Sequence, residues 1–234
     1  MKEKHHKVCT DLYDGEVWND FMSIDGLPFL AAPFNYTLHL NVDSFQPFKH
    51  TQHSEGAIYL SILNLPRQER FLKENVILAE VIPGPKAPEL HMNSFLQPLV
   101  SGLMQLWDGI CMKTSNNVSI MVRAALLCVG CDIPAARKVC GFLGHRATMG
   151  CSKCLHAFPT EKFGEKADYS NFKRTERRKR TNDHYRSEAM KCRSCVMKSE
   201  WTEIERRSGV RYSCLLITTV LQCTSYVVHH RSYA

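Results

Sequence analysis

The chain lacks an apolar stretch at its start. MKEKHHKVCTDLYDGE carries charge throughout, so no secretory leader is read there. A clean membrane-spanning run is missing too. The longest uncharged run, residues 212–228, contains Ser213, Thr218, Thr219, Gln222, Thr224 and Ser225, which makes it too polar and slightly too short to span a bilayer. No membrane partner is expected. Without a leader, the eleven cysteines among 234 residues are expected to be reduced intracellular thiols. Their odd number, with two Cys-x-x-Cys pairs, fits metal binding better than a disulfide framework. Acidic residues are outnumbered, giving a formal net charge of +7, which favours an anionic partner such as nucleic acid, with solubility as the plainer reading. The length and apolar content suffice for one sizeable core with appendages.

Residues 1–33 carry scattered charges and turn formers without a sustained period and read as a lead-in segment. From Tyr36 the pattern changes. Tyr36, Leu38, Leu40 and Val42 alternate with Thr37, His39, Asn41 and Asp43, the period of a half-buried strand. Residues 57–63 and 76–82 give two further strands with short links, an antiparallel meander. Phe95, Leu96, Leu99, Val100, Leu103, Leu106 and Trp107 then recur at helical spacing, with Asn93 or Ser94 as cap and Gly109 as stop. Residues 118–131 are apolar at nearly every position, which suits a central strand covered on both faces, a buried helix being the competing reading. Pro134 suits the first turn of a helix running to about Val139.

This order is α/β: a three-stranded meander, a helix, a fourth strand and a helix. It is the plan of a ribonuclease-H-like mixed sheet, in which the first and fourth strands lie parallel and adjacent. Asp43 and Asp132 would then meet at the strand ends. Two converging carboxylates can hold divalent ions for phosphodiester chemistry, Mg²⁺ or Mn²⁺ being the natural choice for oxygen ligands. The plainer readings are a turn residue for Asp43 and a helix N-cap for Asp132.

Downstream, Cys151 and Cys154 have the spacing of a zinc knuckle, and Cys192 and Cys195 repeat it across a longer gap than usual. Cys140, His145 and His156 are alternative Zn²⁺ ligands, and buried reduced thiols are the competing reading. The run Lys173, Arg174, Arg177, Arg178, Lys179 and Arg180 offers phosphate contacts or a nuclear import signal, or else a solvated loop. Glu200, Glu203 and Glu205 lie in a polar helical stretch and read as surface residues, the alternative being that one of them serves as a further acid of the site.

The segments LNVDSFQPFKH, NLPR, IPGPK, QPLVSGLMQLWDG, CDIPAARKVCGFLGH, CSKC and GVRYS follow one another in order. Together they resemble CACTA (En/Spm-type) DNA transposases over about residues 11–213. The resemblance implies a DDE/D transposase with a ribonuclease-H-like core that cuts element ends and joins them to target DNA, acting in the nucleus, or remaining cytoplasmic if not imported, as a possible homo-oligomer. Asp43 matches the first acid, Asp132 the second, and Cys151 to Cys154 the family's cysteine pair. Cys192 and Cys195 have no place in the pattern. The corresponding boundaries are a lead-in at 1–33, a partial ribonuclease-H-like core at 34–150, a cysteine-containing basic region at 151–213 and an off-family tail at 214–234. Family members continue through LPYFD and DPMHN-type segments towards a third acid. Here the text from Ile217 onward departs from them, as expected of a shifted frame or a false splice end. A fragment inactive by itself is therefore expected, with a zinc-containing nucleic-acid-binding module without catalysis as the alternative.

Overall fold

The computed structural model describes residues 10–15, 18, 21, 23–24, 27–46, 48, 53–84, 92–144, 146–159, 168, 173, 175 and 178–217. Strands β1 (Ser23–Ile24) and β2 (Leu27–Pro28) form a minimal antiparallel ribbon. The main sheet contains β3 (Asn35–Phe45), β4 (Glu55–Ile62), β5 (Val76–Ile82), β6 (Ile110–Lys113) and β7 (Ser119–Val129) in the order β5-β4-β3-β7-β6. Among the described residues the longer helices are α1 (Met92–Asp108), α2 (Ile133–Val139), α3 (Asn182–Ser194) and α4 (Lys198–Ser208). The result is a mixed α/β architecture.

The expected meander is present, with β4 antiparallel to both β3 and β5. The uncharged run is a strand, β7, lying parallel to β3. Its alternation explains why it is apolar on both sides. Ala124, Leu126 and Val129 enter a core with Leu38, Leu40 and Val42 of β3 and Leu96 and Val100 of α1. Ala125 and Leu127 enter a second core with Phe21, Phe29 and Leu63. Phe29 stacks on Trp107 at 5.4 Å, so residues read as lead-in cover one face of the sheet.

Two features depart from expectation. Strand β6 was not anticipated: four residues directly after Gly109 pair antiparallel with β7 and occupy the sheet edge. Its residues are mostly exposed, so it has no core-facing apolar period to announce it. Gly109 does terminate α1, at φ +109° with its N–H on the Gln105 carbonyl. Asn93, by contrast, lies inside α1 rather than capping it. Its side chain donates to the Tyr212 carbonyl and accepts from the Cys214 amide, tying the segment after α4 to the core.

Candidate active site

Asp43 and Asp132 are brought together by the sheet. In the parallel β3–β7 pair Leu38 faces Leu126, but His39 faces Cys128 and Leu40 faces Val129, a β-bulge that adds one residue to β7. Continuing from Leu40 and Val129, the Asn41 side chain donates to the Gly130 carbonyl at 2.6 Å and the Val42 amide donates to Cys131 Sγ at 3.0 Å. The next step in register is Asp43 beside Asp132. Both are exposed and line one cavity of about 110 Å³, together with Ser44, Gly56, Ile82 and Lys138.

Each carboxylate has one oxygen engaged locally. Asp132 is the N-cap of α2, its Oδ1 accepting from the Ala135 amide at 2.7 Å, with Pro134 in the first turn. Asp43 Oδ1 accepts from the Ser44 amide at 2.8 Å. Among the described residues neither Oδ2 has a hydrogen-bond partner. Between the two strands sits Cys131, 1% exposed; burial, with the Asp132 and Asp43 charges adding, pushes its thiol up to about 12 against the pull of the Val42 amide. It is a packing residue of the main core, next in sequence to Asp132.

The other sequence-derived residues separate by role. Cys151 and Cys154 lie together on a turn, where Cys151 Sγ accepts from the Lys153 amide at 3.4 Å. Cys192 is on α3, buried and donating to the Val210 carbonyl, while Cys195 follows the helix and donates to Lys191. Among the described residues no three His, Cys, Asp or Glu side chains gather as a metal-holding group, so the two cysteine pairs do not form one four-thiolate set. Of the alternatives, His145 lies outside the described residues, and Cys140 is buried in the main core.

Lys173, Arg178 and Lys179 are exposed, as phosphate contacts require; Arg174 and Arg177 lie outside the described residues. Arg180 departs from the expectation. It is 4% exposed, donates to the Ser208 carbonyl at 2.8 Å and the Cys151 carbonyl at 3.2 Å, and lies over the Phe142 ring. A guanidinium held this way braces the cysteine turn against the end of α4 and is not presented to a ligand. Burial raises Cys151, but the Lys153 amide, Cys154 and the Arg180 charge outweigh it and leave the thiol below its ordinary value. Glu203 is exposed and paired with Arg206, while Glu200 is exposed. Glu205, expected at the surface, is instead 8% exposed and paired with Arg211 at 3.0 Å. None of the three lines the cavity of Asp43 and Asp132.

The family model of transposase family tnp2 matches residues 8–200, most of the chain. The chain belongs to this family. No curated protein sequence matches it. The tnp2 match covers β3, β7 and both acids, and extends through the cysteine turn into α4. Among the described residues of this tnp2 chain, no helix is long and apolar enough to cross a membrane.

One residue near the acids escaped the sequence reading. Lys138, in the last turn of α2, lines the acidic cavity. The available signal was its place in CDIPAARK, one short helix after Asp132. The length of that helix and its position against the end of β3 decide where the ammonium goes, and neither is visible in a one-dimensional pattern.

Proposed function

We propose that this tnp2 chain carries the acidic half of a DNA-cleaving centre of the CACTA (En/Spm) DDE/D type, on a sheet of ribonuclease-H-like plan. The reading rests on one observation: the bulged β3–β7 pairing sets Asp43 and Asp132 side by side at the end of two parallel central strands. Strand order supports it, since the first meander strand lies beside the later parallel strand. The antiparallel β6 stands on the far side of β7, so the likeness is in the central strands and not in the whole sheet.

The site suits Mg²⁺ or Mn²⁺. Among the described residues each carboxylate keeps one oxygen without a hydrogen-bond partner, and the cavity leaves room for the waters that such hard cations retain. When bound, the metal would activate the attacking oxygen and stabilise the leaving one in phosphodiester cleavage. Asp43 and Asp132 would hold it, their Oδ1 hydrogen bonds fixing the orientation of each carboxylate. Lys138 would balance charge on an incoming phosphate. Two acids make a weak cage, and among the described residues no third carboxylate joins them. With these two carboxylates alone the site would hold the metal loosely, and cleavage by this chain alone would be weak.

The test is Mn²⁺ titration by electron paramagnetic resonance, alongside a nicking assay on element-end DNA. Binding that weakens about tenfold or more in Asp43→Asn and in Asp132→Asn supports the site. Equal binding by wild type and the double variant removes it. Robust nicking abolished by Asp43→Ala would overturn the incomplete-site part.

That no third acid lines the cavity among the described residues favours a second reading: a zinc-containing nucleic-acid-binding module that retains the fold without catalysis. Salt-sensitive DNA binding indifferent to both Asp substitutions, with no Mn²⁺ bound, selects it.

A further inference from the structure

The acidic cavity does not end at Lys138. A second cavity of about 300 Å³ shares Met92 and Lys138 with it, and a third of about 290 Å³ shares Lys138, Phe142 and Arg211 with the second. The three form one trough leading from the carboxylates to the joint between α3, α4 and the segment after α4. Its character changes along the way. The acidic end holds Asp43 and Asp132, whereas the other two cavities are lined by Arg137, Lys138, Arg193 and Arg211 and, among the described residues, by no carboxylate.

Aromatic side chains stand among these cations. Trp201 and Tyr212, both half-buried, line the second cavity, and the Arg193 guanidinium lies over the Tyr212 ring at 5.1 Å. The walls are well anchored: the Arg211 amide donates to the Gly141 carbonyl at 2.7 Å, and Asn93 grips both sides of Ser213 through Tyr212 and Cys214. The Arg211 guanidinium is oriented by Glu205, whose carboxylate lies outside the trough. Cationic side chains interleaved with ring faces are the chemistry of a single-stranded nucleic-acid groove, phosphates meeting the cations and bases stacking on the rings.

We infer that this trough binds an unpaired DNA strand and feeds it towards the Asp43–Asp132 end. The inference rests on the cleavage-site reading only for its direction; strand binding itself needs no metal. Arg193 and Lys138 contact backbone phosphates, and Trp201 carries a stacked base. The exposed Lys173, Arg178 and Lys179 lie outside the trough lining and serve as the comparison surface.

The experiment measures anisotropy of fluorescein-labelled oligo(dT), and of a duplex of equal length, with the full chain in EDTA. Single strands are expected to bind more tightly than duplex and to quench Trp201, a signal that disappears in Trp201→Phe. Trp201→Ala should weaken oligo(dT) binding about tenfold, and Trp201→Phe should recover most of it. Arg193→Gln and Lys138→Gln should each lower the slope of log K against log salt by about 0.7. Thermal unfolding of each variant reports whether it is folded, and the Phe variant carries the test if the Ala variant is not. Equal binding of duplex and single strand, or unchanged binding in Trp201→Ala together with its loss when Lys173, Arg178 and Lys179 are replaced, overturns the assignment. Loss of Mn²⁺ binding without loss of oligo(dT) binding in Asp43→Asn separates the two sites. Oligo(dT) binding by a chain that never binds Mn²⁺ refutes the metal reading and leaves the trough standing.

Discussion

Asp132 caps a helix and, in the proposed site, would also hold a metal, two roles that a pair of substitutions can separate. Its Oδ1 caps α2 through the Ala135 amide, and the residue lines the cavity shared with Asp43, where its carboxylate would hold the proposed metal. Asp132→Ala removes both functions. A lost N-cap costs about 0.5–2 kcal/mol, and the short α2 has few other means of fixing its first turn, so about 1–1.5 kcal/mol is expected. Asp132→Asn keeps an acceptor oxygen for the Ala135 amide, and asparagine caps about as well as aspartate, so its stability should stay within about 0.5 kcal/mol of wild type. Metal binding must show the opposite pattern, because a neutral amide is a far poorer ligand for a hard cation than a carboxylate. Urea unfolding followed by circular dichroism gives the first quantity and Mn²⁺ titration the second. Loss of metal binding in both variants, with loss of stability in Ala alone, is the expected result. An Asn variant as unstable as the Ala variant would refute the capping argument, and an Asn variant that binds Mn²⁺ like wild type would refute the site.

Arg180→Met should cost about 2–4 kcal/mol in urea unfolding, since the buried carbonyls of Ser208 and Cys151 each lose a donor and relief of a buried charge offsets only part of this; a loss below about 1 kcal/mol would show that water replaces the guanidinium. Glu188 is held below its usual 4.5: burial raises it, but Lys191 and Arg207 pull it further down. Its stabilisation is therefore present above pH 4.5 and lost as pH falls through the lower folded value, so Glu188→Gln should flatten the acid limb of a stability-against-pH curve. Alkylation with iodoacetamide at neutral pH, read by peptide mass spectrometry, should modify Cys151 well before Cys128 and Cys131, whose thiols burial pushes up to about 12; early labelling of Cys131 would contradict its burial in the core.

Much of this architecture was legible because burial imposes periodicity. The alternation of Leu38, Leu40 and Val42 marked β3, and the unbroken apolar run marked β7 as covered on both faces. Asp132 followed by Pro134 marked a helix start, and both acids were recognised as strand-end residues. Exposed β6 gave no such signal. Arg180 was hidden for a related reason: within KRTERRKR it looks like its neighbours, and only the carbonyls of Cys151 and Ser208, distant in sequence, distinguish it. Glu205 was hidden in the same way, its burial set by Arg211.

By itself, then, the sequence marked the buried strands of the meander, the helix over Met92–Asp108 and the helix start at Asp132, and it named two acids beside strand ends, because these follow from local periodicity and capping chemistry. Only the tertiary structure decided that the acids meet. With the register Leu38 to Leu126 carried on unbroken, Asp43 would fall beside Cys131, and Asp132 would point to the opposite face of the sheet. The single extra residue in β7 shifts the alternation, turns Cys131 into the core and aligns Asp132 with Asp43. A bulge is a property of the pair of strands, and neither strand announces it alone.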